Sequence, residues 1–210
     1  MKIESLVVGS FSCNCFILID EPSMEAIVID PGDEPEVILS YLANEEIKVK
    51  ALLHTHAHLD HMMATKEVAR QTNAPTFLHK EDLFLWTNLQ MQADLFGFKV
   101  EPPGKVDSFL QDEMEIKFGK EKLKTIFTPG HTPGSCCFHF AGNDSILFSG
   151  DTLFKNSIGR TDLWGGDSTK IAKSIKNRLY SLDEDTLVLC GHGPETQISR
   201  EKRYNPFVTA

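Results

Sequence analysis

The eight residues H-T-H-A-H-L-D-H, His54–His61, constrain this chain most, because they include four histidines and one aspartate. The apolar run before them (49–53) is typical of a buried strand, and residues 61–72 have the pattern of a helix. In an extended or turning segment, side chains two apart share a side. His56 and His58 are therefore predicted to project together from a strand-to-helix loop, where two imidazoles can bind one metal ion. Asp60 and His61 begin the helix in another direction and could reach a second ion.

The same placement recurs three times further along the chain. Apolar runs end in a glycine that is followed at once by His131, Asp151 or His192. Glycine permits tight turns and close backbone approach, and side chains at the ends of several strands can converge when those strands lie in packed sheets. Four such placements favour a shared metal site. The remaining histidines, His54, His79 and His139, are interpreted as structural.

Strand-like and helix-like segments alternate along the whole chain. The predicted strands are 3–8, 15–19, 26–30, 49–53, 114–118, 122–127, 135–140, 145–149 and 186–190. The predicted helices are 34–46, 61–72, 81–98 and 169–182. Residues 81–98 carry apolar stripes over more than half the circumference, which favours a helix buried between layers, or else a subunit contact or an apolar wall over a substrate. Because the histidine cluster precedes the break at 102–104 and its partners follow it, a single α/β domain over residues 1–210 is expected.

Composition limits the classes of partner. The 210-residue chain is 41% hydrophobic and carries a net charge of −9, which opposes general binding to nucleic acid or to anionic lipid. There is no signal-peptide pattern and no apolar run long enough to span a bilayer.

The five cysteines are odd in number and contain no C-x-x-C pair, so free thiols in a cytoplasmic protein are expected.

Four motifs together resemble the metallo-β-lactamase superfamily. T-H-A-H-L-D-H (55–61) is similar to its H-x-H-x-D-H signature, and G-H-T-P-G-S (130–135), S-G-D-T-L-F (149–154) and G-H-G-P (191–194) follow in the family's order. The resemblance covers nearly the whole chain. It implies a four-layer αββα sandwich of two mixed sheets flanked by helices, with two divalent metal ions in a groove at its edge.

The resemblance also implies a ligand set. The first ion would be held by His56, His58 and His131, and the second by Asp60, His61 and His192. Asp151 would bridge the two ions. A set of nitrogen and oxygen donors without a thiolate suits zinc, the first expectation, and also iron or manganese.

The reaction that such a site implies is hydrolysis. Two ions about 3.5–4 Å apart can hold a shared hydroxide and polarise a carbonyl, and Asp60 would orient the hydroxide. The loop 151–167 and the ending E-K-R-Y-N-P-F (201–207) look like those of short hydroxyacylglutathione hydrolases, the glyoxalase II-like branch. A small thioester is thus the expected substrate, with Arg160 and Lys155 as candidate substrate contacts.

Departures from the larger glyoxalase II enzymes put glutathione recognition in question. Arg160 and Asp162 stand where those enzymes have a lysine and a tyrosine, Gly193-Pro194 replaces a further tyrosine, and their C-terminal helical domain is not expected here. Arg160 could bind a substrate carboxylate. It could equally pair within the loop with Asp162 or Asp167.

Other functions share this sequence pattern. A persulfide dioxygenase-type oxidoreductase, which also has a G-R-T-D loop, would use one iron on His56, His131 and Asp151. A lactonase or β-lactamase is a second alternative. A binding protein without activity is disfavoured because all seven ligands are present. A homodimer is possible; nucleic acid and membrane are not expected partners.

Overall fold

The computed structural model describes residues 1–97, 99–142 and 144–209. They form two compact units, one of residues 1–110 with 117–121 and the other of residues 111–116 with 122–210. The prediction of a single domain stays a prediction. Among the described residues, no helix combines the length and the apolar character that crossing a membrane requires.

The first unit is built on a mixed six-stranded sheet in the order β1-β2-β3-β4-β5-β6. Its strands are β1 Lys2–Val8, β2 Cys13–Asp20, β3 Glu25–Ile29, β4 Lys48–Leu53, β5 Thr76–His79 and β6 Ser108–Leu110. The pairs β1–β2 and β2–β3 are antiparallel, whereas β3, β4, β5 and β6 run parallel. Strand β2 is buried along its whole length, as its nearly continuous apolar sequence predicts.

Helices of the first unit cover this sheet. They are α1 Pro35–Asn44, α2 Thr65–Thr72, α3 Leu83–Thr87 and α4 Leu89–Asp94, and 3-10 turns occur at Leu59–His61 and Lys80–Asp82. Proline at the first position of α1 is favourable, because the amide that it lacks would be unpaired there anyway. Ile38 and Leu42 of α1 and Val68 of α2 join one buried apolar cluster with Ile17 and Val28.

Two predicted helices differ from the structure in their bounds. The helix predicted from residue 61 begins at Thr65, because Leu59–His61 form a 3-10 turn. The helix predicted over 81–98 breaks at Asn88, whose φ of −109° and ψ of 35° are not helical. The Phe84 carbonyl accepts there from both the side-chain amide and the backbone amide of Asn88, at 2.7 and 3.2 Å. One apolar stripe was predicted from Trp86, Leu89, Ala93 and Phe96, and its first three members are buried whereas Phe96 is exposed. The described members of the other stripe, Phe84, Met91 and Leu95, are all exposed. Phe98 lies outside the described residues.

A second mixed sheet has the order β14-β13-β10-β9-β8-β7. Its strands are β7 Glu115–Phe118, β8 Glu121–Phe127, β9 Cys136–Ala141, β10 Ser145–Gly150, β13 Leu187–Cys190 and β14 Thr196–Gln197, and a separate hairpin consists of β11 Leu153–Phe154 and β12 Ser157–Ile158. β9 pairs antiparallel with both β8 and β10, and β10 pairs parallel with β13. The strands β8, β10 and β13 therefore run in one direction.

The helices of the second unit are α5 Ser168–Ser174, which continues as a π-helical turn Ile175–Leu179, and α6 Ile198–Tyr204. Asp167 caps α5, because its side chain accepts hydrogen bonds from the amides of Thr169 and Lys170 at 2.9 and 3.0 Å. Ile171, Leu179 and Ile198 pack into a buried cluster with Leu147 and Val188 of the sheet. Two mixed sheets with flanking helices confirm the predicted α/β fold class.

Candidate metal centre

Three imidazoles of the first unit lie against one another in the loop that follows β4. His56 and His58 have ring centroids 4.8 Å apart, and those of His56 and His61 are 4.2 Å apart. All three side chains are at least nine-tenths buried. Buried polar groups require partners, and the residue types present can ligate a metal ion.

A hydrogen bond fixes which ring nitrogen of His61 carries the hydrogen. Its Nδ1 lies 3.0 Å from Oδ2 of Asp30, which directly follows β3. A carboxylate only accepts, so Nδ1 carries the hydrogen and Nε2 keeps a lone pair. Metal-binding histidines commonly have this carboxylate partner.

Thr55 extends the same network to His56. The Thr55 hydroxyl donates to Oδ2 of Asp30 over 2.6 Å, and the Thr55 amide donates to Oδ1 over 2.7 Å. Since the single hydroxyl hydrogen is used on Asp30, the bond of 3.0 Å between Thr55 Oγ1 and His56 Nδ1 must be donated by the imidazole. His56 therefore also presents Nε2 as a lone pair.

Asp60 stands beside His61, with 3.7 Å between its Oδ2 and the His61 Nε2. Its backbone is held closely as well. A Cβ added at Gly32 would lie 1.9 Å from the Asp60 carbonyl oxygen, so only glycine fits at that position.

His54 has a structural role, as predicted. Its Nδ1 lies 3.0 Å from the Phe77 carbonyl and its Nε2 lies 2.8 Å from Thr65 Oγ1, and its ring packs edge-on against Trp86. Burial lowers the pKa of His54 to about 4, so the ring is neutral at pH 7. His139 likewise bonds to Ser145 over 2.9 Å.

All five cysteines are buried thiols. Cys13 lies nearest the ligands, with its Sγ 3.5 Å from Nδ1 of His61. Burial raises the pKa of Cys13 to about 12 and that of Cys190 also to about 12. Neither thiol belongs to the predicted ligand set, whose donors are nitrogen and oxygen atoms.

In the second unit, His131, Asp151 and His192 form a group of their own. Asp151 Oδ2 lies 3.5 Å from His131 Nε2 and 3.7 Å from His192 Nε2. Asp151 directly follows β10 and His192 lies two residues after β13, whereas His131 lies a few residues after β8. Because these three strands run in one direction, their carboxyl ends meet at one edge of the sheet.

Backbone atoms position the second group. The Nδ1 of His131 donates to the Arg160 carbonyl over 2.8 Å, which leaves Nε2 with a lone pair toward Asp151. A Cβ added at Gly159 would lie 1.8 Å from the Asp151 carbonyl oxygen and 3.1 Å from His131 Nδ1. The loop carrying Arg160 is therefore packed directly against two predicted ligands.

The two candidate substrate contacts are both exposed. The Arg160 guanidinium forms two bonds of 2.7 Å to the Asp162 carboxylate, and this pairing lowers the pKa of Asp162 to about 2. Asp167 caps α5 instead. Of the two internal partners considered for Arg160, the structure pairs it with Asp162.

Sequence reasoning missed the residues that hold the ligands. Asp30 had a usable signal, since an acidic side chain past an apolar strand and before Pro31-Gly32 repeats the pattern of the ligands themselves. Thr55 and the Arg160 carbonyl had none, because neither a neutral side chain nor a backbone atom is distinguished by its neighbours in sequence.

Comparison with known proteins identifies a superfamily and a full-length relative. Residues 8–192 match the model of the metallo-beta-lactamase superfamily. The hydroxyacylglutathione hydrolase GloC of Haemophilus influenzae is 35% identical over 217 residues, which cover 100% of this chain and 99% of GloC.

Two solved structures are also similar to this chain. The crystal structure of the BLEG-1 B3 metallo-beta-lactamase matches with a TM-score of 0.92 and 35% identity, covering 100% of both chains. TTHA1623 in a di-iron-bound form matches with a TM-score of 0.88 and 35% identity, covering 98% of this chain and 100% of that one.

Proposed function

This chain belongs to the metallo-beta-lactamase superfamily and is a metal-dependent hydrolase of that superfamily; from this premise we propose that it hydrolyses small thioesters of the hydroxyacylglutathione type. The observation that carries the thioester is the match to GloC over the full length of both chains. The buried free thiols also support a cytoplasmic location.

The side chains of the predicted ligand set are suited to binding divalent metal ions. His56, His61 and His131 each donate from Nδ1 to a protein oxygen, so that Nε2 is the ring nitrogen that would bind a metal ion. We propose that His56, His58 and His131 hold one ion, that Asp60, His61 and His192 hold another, and that Asp151 bridges them. Nitrogen and oxygen donors suit zinc, and the di-iron form of TTHA1623 supports iron as the second choice.

Bound metal ions would supply a hydroxide nucleophile at neutral pH and a positive charge that polarises the substrate carbonyl. In this proposal the Asp60 carboxylate accepts a hydrogen bond from the attacking water and orients it. Asp30 holds the hydrogen on Nδ1 of His61, and the Arg160 carbonyl does the same for His131. The chain thereby keeps the two imidazoles in the tautomer that binds metal.

Arg160 and Lys155 are proposed to contact an anionic part of the substrate. Both side chains are exposed, and the Arg160 guanidinium already binds a carboxylate in the geometry that a substrate carboxylate would use. A substrate carboxylate would therefore replace Asp162 as the partner.

A β-lactam is the second candidate substrate, because BLEG-1 matches with the same identity as GloC. The two classes differ in the leaving group. A thioester releases a thiolate, which is a good leaving group and a good metal ligand, whereas an opened lactam retains its amine within the product.

A panel of substrates tests the proposal. Metal content of the purified protein is measured first, and hydrolysis of S-lactoylglutathione, a lactone and a chromogenic β-lactam is then compared under one condition. We expect two metal ions per chain and the highest kcat/KM for the thioester, with loss on chelation and recovery on adding metal.

Oxygen uptake with glutathione persulfide is the control for the oxidoreductase alternative. One iron per chain together with rapid oxygen consumption would overturn the hydrolase assignment. A higher kcat/KM for the β-lactam than for the thioester would leave the superfamily intact and replace the substrate class.

A further inference from the structure

The backbone of the ligand loop in the first unit is buried between its two histidines. Ala57, which separates His56 from His58, has no exposed surface, and Leu59 after them is 4% exposed. Buried backbone amides and carbonyls must find partners, because a buried donor or acceptor that is left unpaired destabilises the folded state. The described residues of this loop lie between β4 and the 3-10 turn, outside any strand or helix, so they need hydrogen-bond partners from other elements.

Gln92 supplies two of these partners from helix α4. Its side-chain Oε1 accepts from the Leu59 amide at 3.1 Å, and its Nε2 donates to the Ala57 carbonyl at 2.9 Å. The Nε2 also donates to the Leu85 carbonyl of α3 at 3.0 Å. The orientation of the carboxamide is fixed by chemistry, because only the oxygen can face an amide and only the nitrogen can face two carbonyls.

Asp82 supplies the remaining partner from the turn before α3. Its Oδ2 accepts from the Ala57 amide at 3.0 Å, and the side chain is completely buried. Asp82 therefore holds the peptide group between His56 and Ala57.

These contacts hold the peptide groups on both sides of His58. The Ala57 carbonyl belongs to the peptide before His58, and the Leu59 amide belongs to the peptide after it. One carboxamide binds both and thereby fixes the φ of −74° and ψ of 150° at His58. A metal ligand has to be held within about 0.5 Å of its productive position.

We propose that Gln92, with Asp82, is a positioning residue for His56 and His58, acting through the backbone of their loop; this inference rests on the proposed function, in which those histidines bind metal. It connects helices α3 and α4 to the metal site without a ligand on either helix. A displacement of α4 would thus change how His58 meets the ion.

The test replaces Gln92 by Met, which has a similar length and no hydrogen bonds, and by Glu, which keeps the acceptor for Leu59 but turns a carboxylate oxygen toward two carbonyls. Zinc affinity is measured by competition with a chromophoric chelator, and the visible spectrum of cobalt-substituted protein reports ligand geometry. We expect zinc affinity to fall about 10–100-fold, the usual effect of changing a group that orients a ligand. The cobalt bands should shift in both variants.

Gln90→Met is the matched control, because Gln90 lies on the same helix, is exposed and bonds to Asp94 of its own helix. This control should leave the zinc affinity and the cobalt spectrum unchanged. Asp82→Asn keeps an oxygen for the Ala57 amide and should retain most of the affinity, whereas Asp82→Ala should not. If neither Gln92 variant folds, the comparison of Asp82→Asn with Asp82→Ala tests the positioning role.

The outcomes separate the inference from the proposed function. Wild-type protein that binds no metal would overturn the proposed function. Wild-type protein that binds metal, beside folded Gln92 variants with the same affinity and the same cobalt spectrum, would overturn the positioning role alone.

Discussion

The ligand loop of the first unit and the ligand loops of the second are held in different ways. In the first unit, Asp30, Thr55, Asp82 and Gln92 bind the loop with their side chains. In the second unit the ligand loops are connected to one another by backbone atoms, and side chains such as Ser174, which donates to the Pro129 carbonyl over 2.8 Å, add to these contacts. The Arg160 carbonyl accepts from His131, and the Gly150 carbonyl just before Asp151 accepts from Gly191, just before His192, at 2.8 Å.

This difference follows from where the ligands lie in the sequence. His56, His58, Asp60 and His61 fall in one short irregular loop, which needs partners from other elements for its buried backbone. His131, Asp151 and His192 follow three strands that run in one direction, so the sheet itself brings their loops together. We therefore expect substitutions of supporting side chains to weaken the first group more than the second, in which removal of a ligand or insertion of a Cβ should have the larger effect.

The largest effect is expected for Asp151→Ala, which removes the proposed bridging ligand. Metal content should fall below two ions per chain, and thioester hydrolysis should fall more than about 100-fold, beyond the usual effect of changing an orienting group. Metal analysis and steady-state kinetics on the same sample measure both. Hydrolysis at the wild-type rate would contradict the bridging assignment.

A smaller but still large effect is expected for Gly159→Ala, where the added Cβ would meet the Asp151 carbonyl. The loop must shift, so zinc affinity and melting temperature should both fall. Gly97→Ala is the control, because Gly97 has a φ of +73° but open space around it. An equal loss of zinc affinity in both variants would show that close packing at Gly159 does not position His131, Asp151 and His192.

The corresponding change in the first unit is Asp30→Ala. It removes the acceptor for His61, for the Thr55 amide and for the Thr55 hydroxyl. Zinc affinity should fall about 10–100-fold, measured by chelator competition. Asp30→Asn keeps one acceptor oxygen and should lie between wild type and Asp30→Ala; equal affinities in all three proteins would show that side-chain support is not needed.

The smallest effect is expected for Arg160→Lys, which keeps the backbone carbonyl on His131 but loses the paired geometry of the guanidinium. Metal content should be unchanged. The KM for a glutathione thioester should rise about 10-fold, which corresponds to a loss of about 1.4 kcal/mol of binding free energy. Arg178→Lys is the control, since Arg178 forms the same kind of pair with Asp112. An unchanged KM would limit Arg160 to bracing its loop.

The pH dependence sharpens this last test. The pKa of Asp162 is lowered from 3.8 to about 2 by Arg160, so the contribution of the pair to loop order is fully present above about pH 4. It is lost as the pH falls through about 2. Between pH 5 and 8, KM of the wild-type protein should therefore show no change caused by Asp162.

Much of the fold could be predicted because its signals are local. The apolar runs at 15–19 and 26–30 became β2 and β3, and the helical pattern over 169–182 became α5 with its π-helical continuation. The predicted helix over 81–98 was wrong in its continuity, because the backbone leaves the helical conformation at Asn88 and apolar spacing carries no signal for such a break. Strands β5 and β6 were missed; both are short, and their pairing with distant strands stabilises them.

The sequence by itself determined the superfamily and the seven candidate ligands, because metal chemistry admits few residue types and the motifs place them directly after strands. Only the tertiary structure decided which atoms hold those ligands. Gln92 and Asp82 lie more than twenty residues from Ala57, and the Arg160 carbonyl is chemically the same as any other. Their roles come from satisfying buried polar groups, and that requirement arises only once the chain has folded around them.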